Sequence, residues 1–163
     1  MIRKNFMVLI IFLSLPIAVF GFGSKDTSAK ELSKHEKLWK NNGMKNYTQE
    51  IIYSRATFPP EKIIIIVSNN IVQNWSTGSG EKTFSKDFIE SLTIENMFKK
   101  ARESFNAEKN SPLEFKISYN KELGYITSFS SIPVNTENKN IRPILDRGYR
   151  IEVISLTKTE AGL

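Results

Sequence analysis

EKIIIIVSNNIVQNWS, residues 61–76, is the stretch that decides the fold. Four consecutive isoleucines and a valine, Ile63 to Val67, make a dense β-branched run. Branching at Cβ suits a pleated surface, so this run reads as a strand buried on at least part of both faces. Asn69-Asn70 follows, and asparagine tolerates positive φ, which marks a two-residue turn. Ile71 to Trp75 is then the return strand. Residues 61–76 are predicted to form a tight antiparallel hairpin.

Working outward, Asn46 to Arg55 (NYTQEIIYSR) alternates, with Tyr47, Gln49, Ile51 and Tyr53 on one side. Phe58-Pro59-Pro60 is expected to break that run before the next strand opens at Glu61. Upstream, Lys30 to Asn41 reads as a helix, because Leu32, His35, Leu38 and Trp39 share a face. Asn42-Gly43 stops it, and Trp39 is its anchor on the body of the fold. Downstream, Thr77 to Lys86 reads as a flexible loop. Thr93 is the expected cap of a second helix, Ile94 to Asn106, whose Ile94, Met97, Phe98, Ala101 and Phe105 form an apolar stripe. Glu95, near its start, suits the helix dipole. Asn110-Ser111-Pro112 separates this helix from an alternating strand, Leu113 to Tyr119. Asn120 to Gly124 is a five-residue turn with Gly124 left-handed. Tyr125 to Ile132 returns, Pro133 to Pro143 is a polar exposed loop, and Tyr149 to Leu156 is a last strand. Blocks of helices and hairpins without βαβ alternation define an α+β class. The expected architecture is a mainly antiparallel sheet of five or six strands. One central helix packs on a face, and the N-terminal helix docks at an edge.

The N-terminus carries a different message. Arg3 and Lys4 precede the uncharged run FMVLIIFLSLPIAVFGF, Phe6 to Phe22, which ends in small residues and then Lys25 and Asp26. That is the pattern of a secretory signal. The alternative is an uncleaved anchor, but 17 residues sit at the bottom of the spanning range of roughly 17–25. Pro16 and the glycines weaken it further. The expected organisation is a signal peptide at 1–23, a polar linker at 24–29, one α+β domain at 30–157 and a tail at 158–163. A membrane would be met only through an uncleaved leader.

Composition removes several chemistries. The chain has no cysteine, so disulfides, thiol catalysis, zinc–thiolate sites and a bacterial lipoprotein anchor are all excluded. Lysine and arginine outnumber acids 23 to 17. Arg3 and Lys4 belong to the leader, so 21 face 17 in the remainder, a net +4. This mild excess favours anionic surfaces without singling one out. No five-residue basic run marks a nucleic-acid partner.

At this point the motifs have a familiar order. Leu38-Trp39 ends a helix, Asn46-Tyr47-Thr48 opens a strand, and Phe58-Pro59-Pro60-Glu61 precedes a β-rich run. Ile94 to Phe105 is similar to a helix of the form "ellfdlieea". Tyr119 to Ser128 (YNKELGYITS) is similar to "Y-x-x-x-x-G-Y-P-x-x". Together these resemble an uncharacterised family of small secreted bacterial domains of unknown function, over roughly Glu36 to Val153. The chain departs from the usual pattern twice. Arg55 to Phe58 stands where many members have a Cys-x-Cys pair, and Ile126 replaces a proline. The resemblance implies a fold and a compartment and brings no activity.

Candidate catalytic residues are sparse. His35 is the only histidine, and with Glu31 or Glu36 it supplies two local ligands at most, too few for zinc. A structural helix position is the expectation for it. Asp87, Glu90, Glu103 and Glu108 read as solvated helix charges. Thr77 to Thr83 (TGSGEKT) superficially suggests a phosphate loop, but the G-x-x-x-x-G-K-[ST] spacing is missing. No catalytic, cofactor-binding or metal-binding set is assigned, and no cofactor is expected. Tyr47, Tyr53, Trp75, Tyr119 and Tyr125 would form a binding patch if they shared an exposed face; core packing is the expectation. The functional expectation is a non-enzymatic structural, binding or inhibitory domain of the cell envelope or extracellular space, with an unknown protein or envelope ligand as partner. The alternative is a carboxylate-dependent hydrolase of envelope material. Carboxylates converging in one cleft would favour the alternative. Lysines gathered on one face would favour binding of anionic polymers.

Overall fold

The hairpin forms as its residues require. β2 (Phe58–Ser68) and β3 (Ile71–Thr77) are joined by Asn69 and Asn70, whose φ values of 51° and 62° are both positive. Those angles belong to the mirror-image turn that matches strand twist. Ile63, Ile65 and Val67 are fully buried on one face, while Ile64 is half-buried and Ile66 exposed on the other. A fully buried aliphatic side chain contributes about 1.5–3 kcal/mol, so these three residues are a substantial part of the apolar core.

These observations come from a computed structural model that describes residues 29–55, 58–80, 84–107, 113–133 and 148–159. The leader, the polar linker through residue 28, Glu108, the Asn110-Pro112 separator, residues 134–147 and residues 160–163 lie outside the described residues. The first helix, α1, spans Ala29–Asn42, and β1 spans Tyr47–Arg55. After β3 come α2 (Lys86–Glu90), α3 (Ile94–Ala107), β4 (Leu113–Tyr119), β5 (Ile126–Pro133) and β6 (Tyr149–Lys158).

The fold is α+β. Its six strands lie in the order β3-β2-β1-β6-β5-β4, and every pairing is antiparallel. Two three-stranded meanders are thus joined through β1 and β6. β3 and β4 are the two edges, and the connection that carries α2 and α3 runs from one edge to the other. Alternation puts Tyr47, Gln49, Ile51, Ile63, Ile65, Ile151 and Phe129 on the buried face. From the helical side, Leu32 and Trp39 of α1 and Ile94, Met97, Phe98 and Ala101 of α3 join the same core. α3 packs against α1 and β5, and α2 packs against β3.

Three sequence expectations need correction. Phe58-Pro59-Pro60 does not precede β2 but opens it. β3 pairs only from Ile63 onward, and Pro59 and Pro60 fall where the β1–β2 register shifts between Tyr53 and Arg55, an irregularity of the kind that accommodates proline in a sheet. The sequence predicts two helices, but a third, α2, lies between the Thr77–Lys86 loop and the long helix, capped by the Ser85 hydroxyl, which accepts from the Phe88 N–H at 3.3 Å. At five residues it is too short to leave a periodic signal. Thr93 precedes α3 as expected, but its hydroxyl donates back to the Glu90 carbonyl at 2.9 Å.

The β4–β5 turn is built by its own side chain. Asn120 Oδ1 accepts from the N–H groups of Glu122 and Leu123 at 3.0 and 2.8 Å. Gly124 closes the turn at φ +84°, against the backbone of α1. A Cβ there would stand 2.5 Å from the His35 carbonyl oxygen and 2.8 Å from the Trp39 nitrogen. Glycine is therefore required both by the angle and by the approach of the helix. Asn42 Nδ2, donating to the Leu123 carbonyl at 2.9 Å, ties the end of α1 to the same turn.

Candidate functional site

Trp39 and Tyr47 are large amphipathic side chains, and their polar tips need partners when buried. Both find Glu95. Trp39 Nε1 donates to Glu95 Oε1 at 3.1 Å, and the Tyr47 hydroxyl donates to Oε2 at 2.7 Å. The same hydroxyl accepts from the Ile94 N–H at 3.3 Å, one of the free donors at the start of α3. The rings meet edge to face, with centroids 5.7 Å apart. Burial first, and then the Glu95 carboxylate, push the Tyr47 hydroxyl far above the usual phenol range. It is a fixed donor. Helix α1, strand β1 and the first turn of α3 are thus pinned at one carboxylate, whose negative charge also suits the helix N-terminus.

A second carboxylate joins the two helices. Glu36 of α1 takes both Arg102 guanidinium nitrogens, at 2.8 and 3.1 Å, and Lys40 Nζ at 2.8 Å. Burial opposes its ionisation, but the hydrogen bonds from Lys40 and Arg102 outweigh burial and hold its pKa below the ordinary value. The turn between α1 and β1 is fixed to the β2–β3 hairpin. Asn46 Oδ1 accepts from Ser68 Oγ and the Asn69 N–H, and the Lys45 carbonyl accepts from the Asn70 N–H at 3.0 Å.

Between these anchors lies a surface pocket of about 250 Å³. Its charged lining is Glu36, Lys40, Lys45 and Glu95, and its apolar walls are Trp39, Met44 and Phe98. The charges divide unevenly. Glu36 faces two cations, Lys40 and Arg102, so that network carries one positive charge in excess. Glu95 receives two neutral donors and, among the described residues, no lysine or arginine within ion-pair distance. Lys45 makes no ion pair among the described residues. Glu95 and Lys45 therefore line the recess without an ion-pair partner among the described residues, beside a Glu36 network with one cation in excess.

The residues weighed from sequence fall elsewhere. His35 is buried, stacked on Tyr119 with centroids 4.3 Å apart, and its Nε2 lies 3.4 Å from Glu31. Burial holds its pKa below the ordinary value, against the opposing pull of Glu31 and the Asn120 backbone; Lys34 adds to the lowering. It sits on α1 as expected, but buried against Tyr119 instead of at a surface or half-buried position. Asp87 and Glu103 are exposed, and Glu90 pairs with Lys86 at 3.6 Å. Gly78 and Gly80 belong to the end of the β2–β3 hairpin, where the Gly78 N–H donates to the Lys62 carbonyl at 2.8 Å. Residues 81–83 of that motif lie outside the described residues. The aromatics pack inward: Tyr53, Phe88 and Tyr149 form one cluster, and Tyr119 and Tyr125 border α1. Lysines are spread over both sides, with Lys37 on α1, Lys99 on α3, and Lys62 and Lys116 on the uncovered face of the sheet. Among the described residues no three metal-ligating side chains group together, and no helix is long and apolar enough to cross a membrane.

Glu36, Lys45 and Glu95 were not legible as a set. The available signals were indirect: two buried amphipathic aromatics needing acceptors, and an acid in the first turn of a helix.

A six-stranded antiparallel sheet with helices packed on it and a small charged recess between α1 and α3 defines an α+β domain. The chain belongs to the family of unknown function DUF6174, whose model matches residues 31–135. That match ends before β6, although β6 lies between β1 and β5 in the sheet. No curated protein and no solved structure matches the chain.

Proposed function

We propose that the chain is an exported, non-enzymatic binding domain of the cell envelope or extracellular space, with its ligand site in the pocket between α1 and α3. The observation that carries the binding reading is the condition of the two pocket carboxylates. A carboxylate pair that cleaves glycosidic bonds needs one member able to hold and deliver a proton near neutral pH. Glu36 is held ionised by Lys40 and Arg102, which opposes that role. Glu95 is fixed by two donors that brace the fold, so its movement during a reaction would disturb α1 and β1 together. Export is supported by the leader pattern in residues 1–23.

The hydrolase reading retains one specific observation: Glu36 and Glu95 line the same recess. Two experiments decide. Residues 1–28 fused to a reporter that folds only outside the cytoplasm should give activity, and an inactive fusion would end the export reading. The chain from Ser24 onward, incubated with envelope extract, should bind a component saturably and release no soluble fragments. Turnover abolished by Glu36→Gln or Glu95→Gln would establish the hydrolase instead.

A further inference from the structure

We propose that β4, one edge of the sheet, is a self-association surface. It pairs antiparallel with β4 of a second copy of the chain. Phe115 lies on the two-fold axis, and Glu114 of each copy stands opposite Lys116 of the other. The proposal is independent of the pocket and of its ligand.

The two edges of the sheet are finished differently. An edge strand leaves a row of main-chain N–H and C=O groups without ladder partners, and chains that stay apart blunt it. β3 is blunted. Its ladder with β2 is interrupted by a register shift between Ile66 and Val67. Main-chain groups along it are taken by its own side chains: Asn74 Oδ1 accepts from the Trp75 N–H at 2.9 Å, and Gln73 Nε2 donates to the Ile71 carbonyl at 3.4 Å. The helix α2 also packs against this strand. β4 carries none of these devices. Its ladder with β5 runs without a shift from Leu113 to Ser118. Among the described residues, no side chain bonds to the main chain of Glu114 to Ser118, and β5 alone makes an extensive contact with the strand.

The side chains of β4 choose the occupant. Burial alternates along it: Glu114, Lys116 and Ser118 are exposed, and Phe115 and Ile117 are half-buried against the core. Glu114 and Lys116 lie on the same face, 3.9 Å apart. Two identical antiparallel strands centred on Phe115 set Glu114 against the other copy's Lys116, twice over. Sliding by one repeat of the pleat sets Lys116 against Lys116, or Glu114 against Glu114, and like charges directly opposite destabilise a pair. The strand is therefore self-complementary in charge in one register, as a two-fold interface requires. That register also brings the two Phe115 rings together, each already 6.0 Å from Phe129, and so continues the aromatic packing across the junction. A lysine on an edge ordinarily discourages pairing. A glutamate two residues away on the same face turns it into a selector of register.

The chain from Ser24 onward, which carries every described element, is followed by sedimentation equilibrium over a dilution series. It should pass from monomer to dimer and no further, because the two-fold pairing uses up the edge. Lys116→Glu should weaken the dimer about tenfold, since it makes two attractive pairs repulsive. Combining it with Glu114→Lys should restore association. Gln73→Lys, on β3, should leave the dimer unchanged. Cross-linking then reads the register without background, because the chain has no cysteine. Directly opposed Cα atoms stand about 4.5–5.5 Å apart, inside the ~4.4–6.8 Å reach of a disulfide. Diagonal neighbours stand about 7–8 Å apart, outside it. Glu114→Cys and Lys116→Cys should each resist disulfide formation alone and give a linked dimer when mixed. Both positions are exposed, so neither variant should disturb the fold. A chain that stays monomeric up to about 1 mM overturns the proposal. So does a dimer weakened by Gln73→Lys and not by Lys116→Glu, or a cysteine variant that cross-links alone as readily as the mixture.

Discussion

Gly124→Ala tests how the fold is assembled around this recess. The backbone angle of +84° costs an L-residue about 1–2 kcal/mol. The new Cβ also meets the His35 carbonyl oxygen at 2.5 Å, Leu38 Cβ at 2.8 Å and the Trp39 nitrogen at 2.8 Å. Two of those atoms are helix backbone and cannot rotate away, so α1 or the turn must shift. Overpacking of that kind adds about 1–3 kcal/mol. Restricting the unfolded chain returns about 0.4–1 kcal/mol. The net loss is about 2–4 kcal/mol, a large share of the ~5–15 kcal/mol of a typical domain. Gly43→Ala is the control, because its φ is +67° and a Cβ there meets nothing within 4 Å. It carries the angle alone and should cost about 1 kcal/mol. Urea unfolding of both variants, followed by far-UV circular dichroism, separates the two contributions. With a slope of about 2 kcal/mol/M, Gly124→Ala should lower the midpoint by roughly 1–2 M and Gly43→Ala by about 0.5 M. Equal losses in the two variants would refute the close approach of the turn to α1.

Three further expectations follow from the same contacts. Tyr47→Phe removes the donor to Glu95 and the acceptor of the Ile94 N–H, and should cost about 1–3 kcal/mol in urea unfolding; an unchanged midpoint would show that the carboxylate is satisfied without it. Ile65→Ala, at a fully buried position of β2, should cost about 2–5 kcal/mol, whereas Ile66→Ala on the exposed face should cost less than about 1 kcal/mol; similar losses would mean that the two faces are wrongly assigned. His35 has a folded pKa below its ordinary 6.5, so the unfolded chain binds its proton first as pH falls. Its contribution to stability is therefore complete above about 6.5 and declines as pH drops from there toward the folded pKa. His35→Phe, which keeps a ring on Tyr119, should flatten the unfolding midpoint between pH 7.5 and 5 relative to the parent chain, and identical pH profiles would exclude the effect.

The class of the fold was legible because it depends on local period and turn chemistry. The Ile63–Val67 run and Asn69-Asn70 specify a hairpin whatever surrounds them, and the β-strand alternations from Tyr47 and Leu113 each announce which side chains share a face. The breaks were harder. Pro59 and Pro60 lie inside β2 because they fall at a register shift against β1 and beyond the reach of β3, and strand pairing is not a local property. The helix α2 was missed because five residues carry too little periodicity to read.

The sequence by itself determined the alternation, the turns, the helix stripe, the absence of thiol chemistry and the export pattern, since each rests on residues adjacent in the chain. Only the tertiary structure decided the strand order, which brings β6 between β1 and β5, and the pairing of Trp39 and Tyr47 with Glu95. Those partners stand 56 and 48 residues apart. A buried indole or phenol announces that it needs an acceptor, but which of 17 acids supplies it depends on how the helices lie on the sheet. The same distance effect brought Glu95 and Lys45 to one recess, and no period in the sequence encodes that.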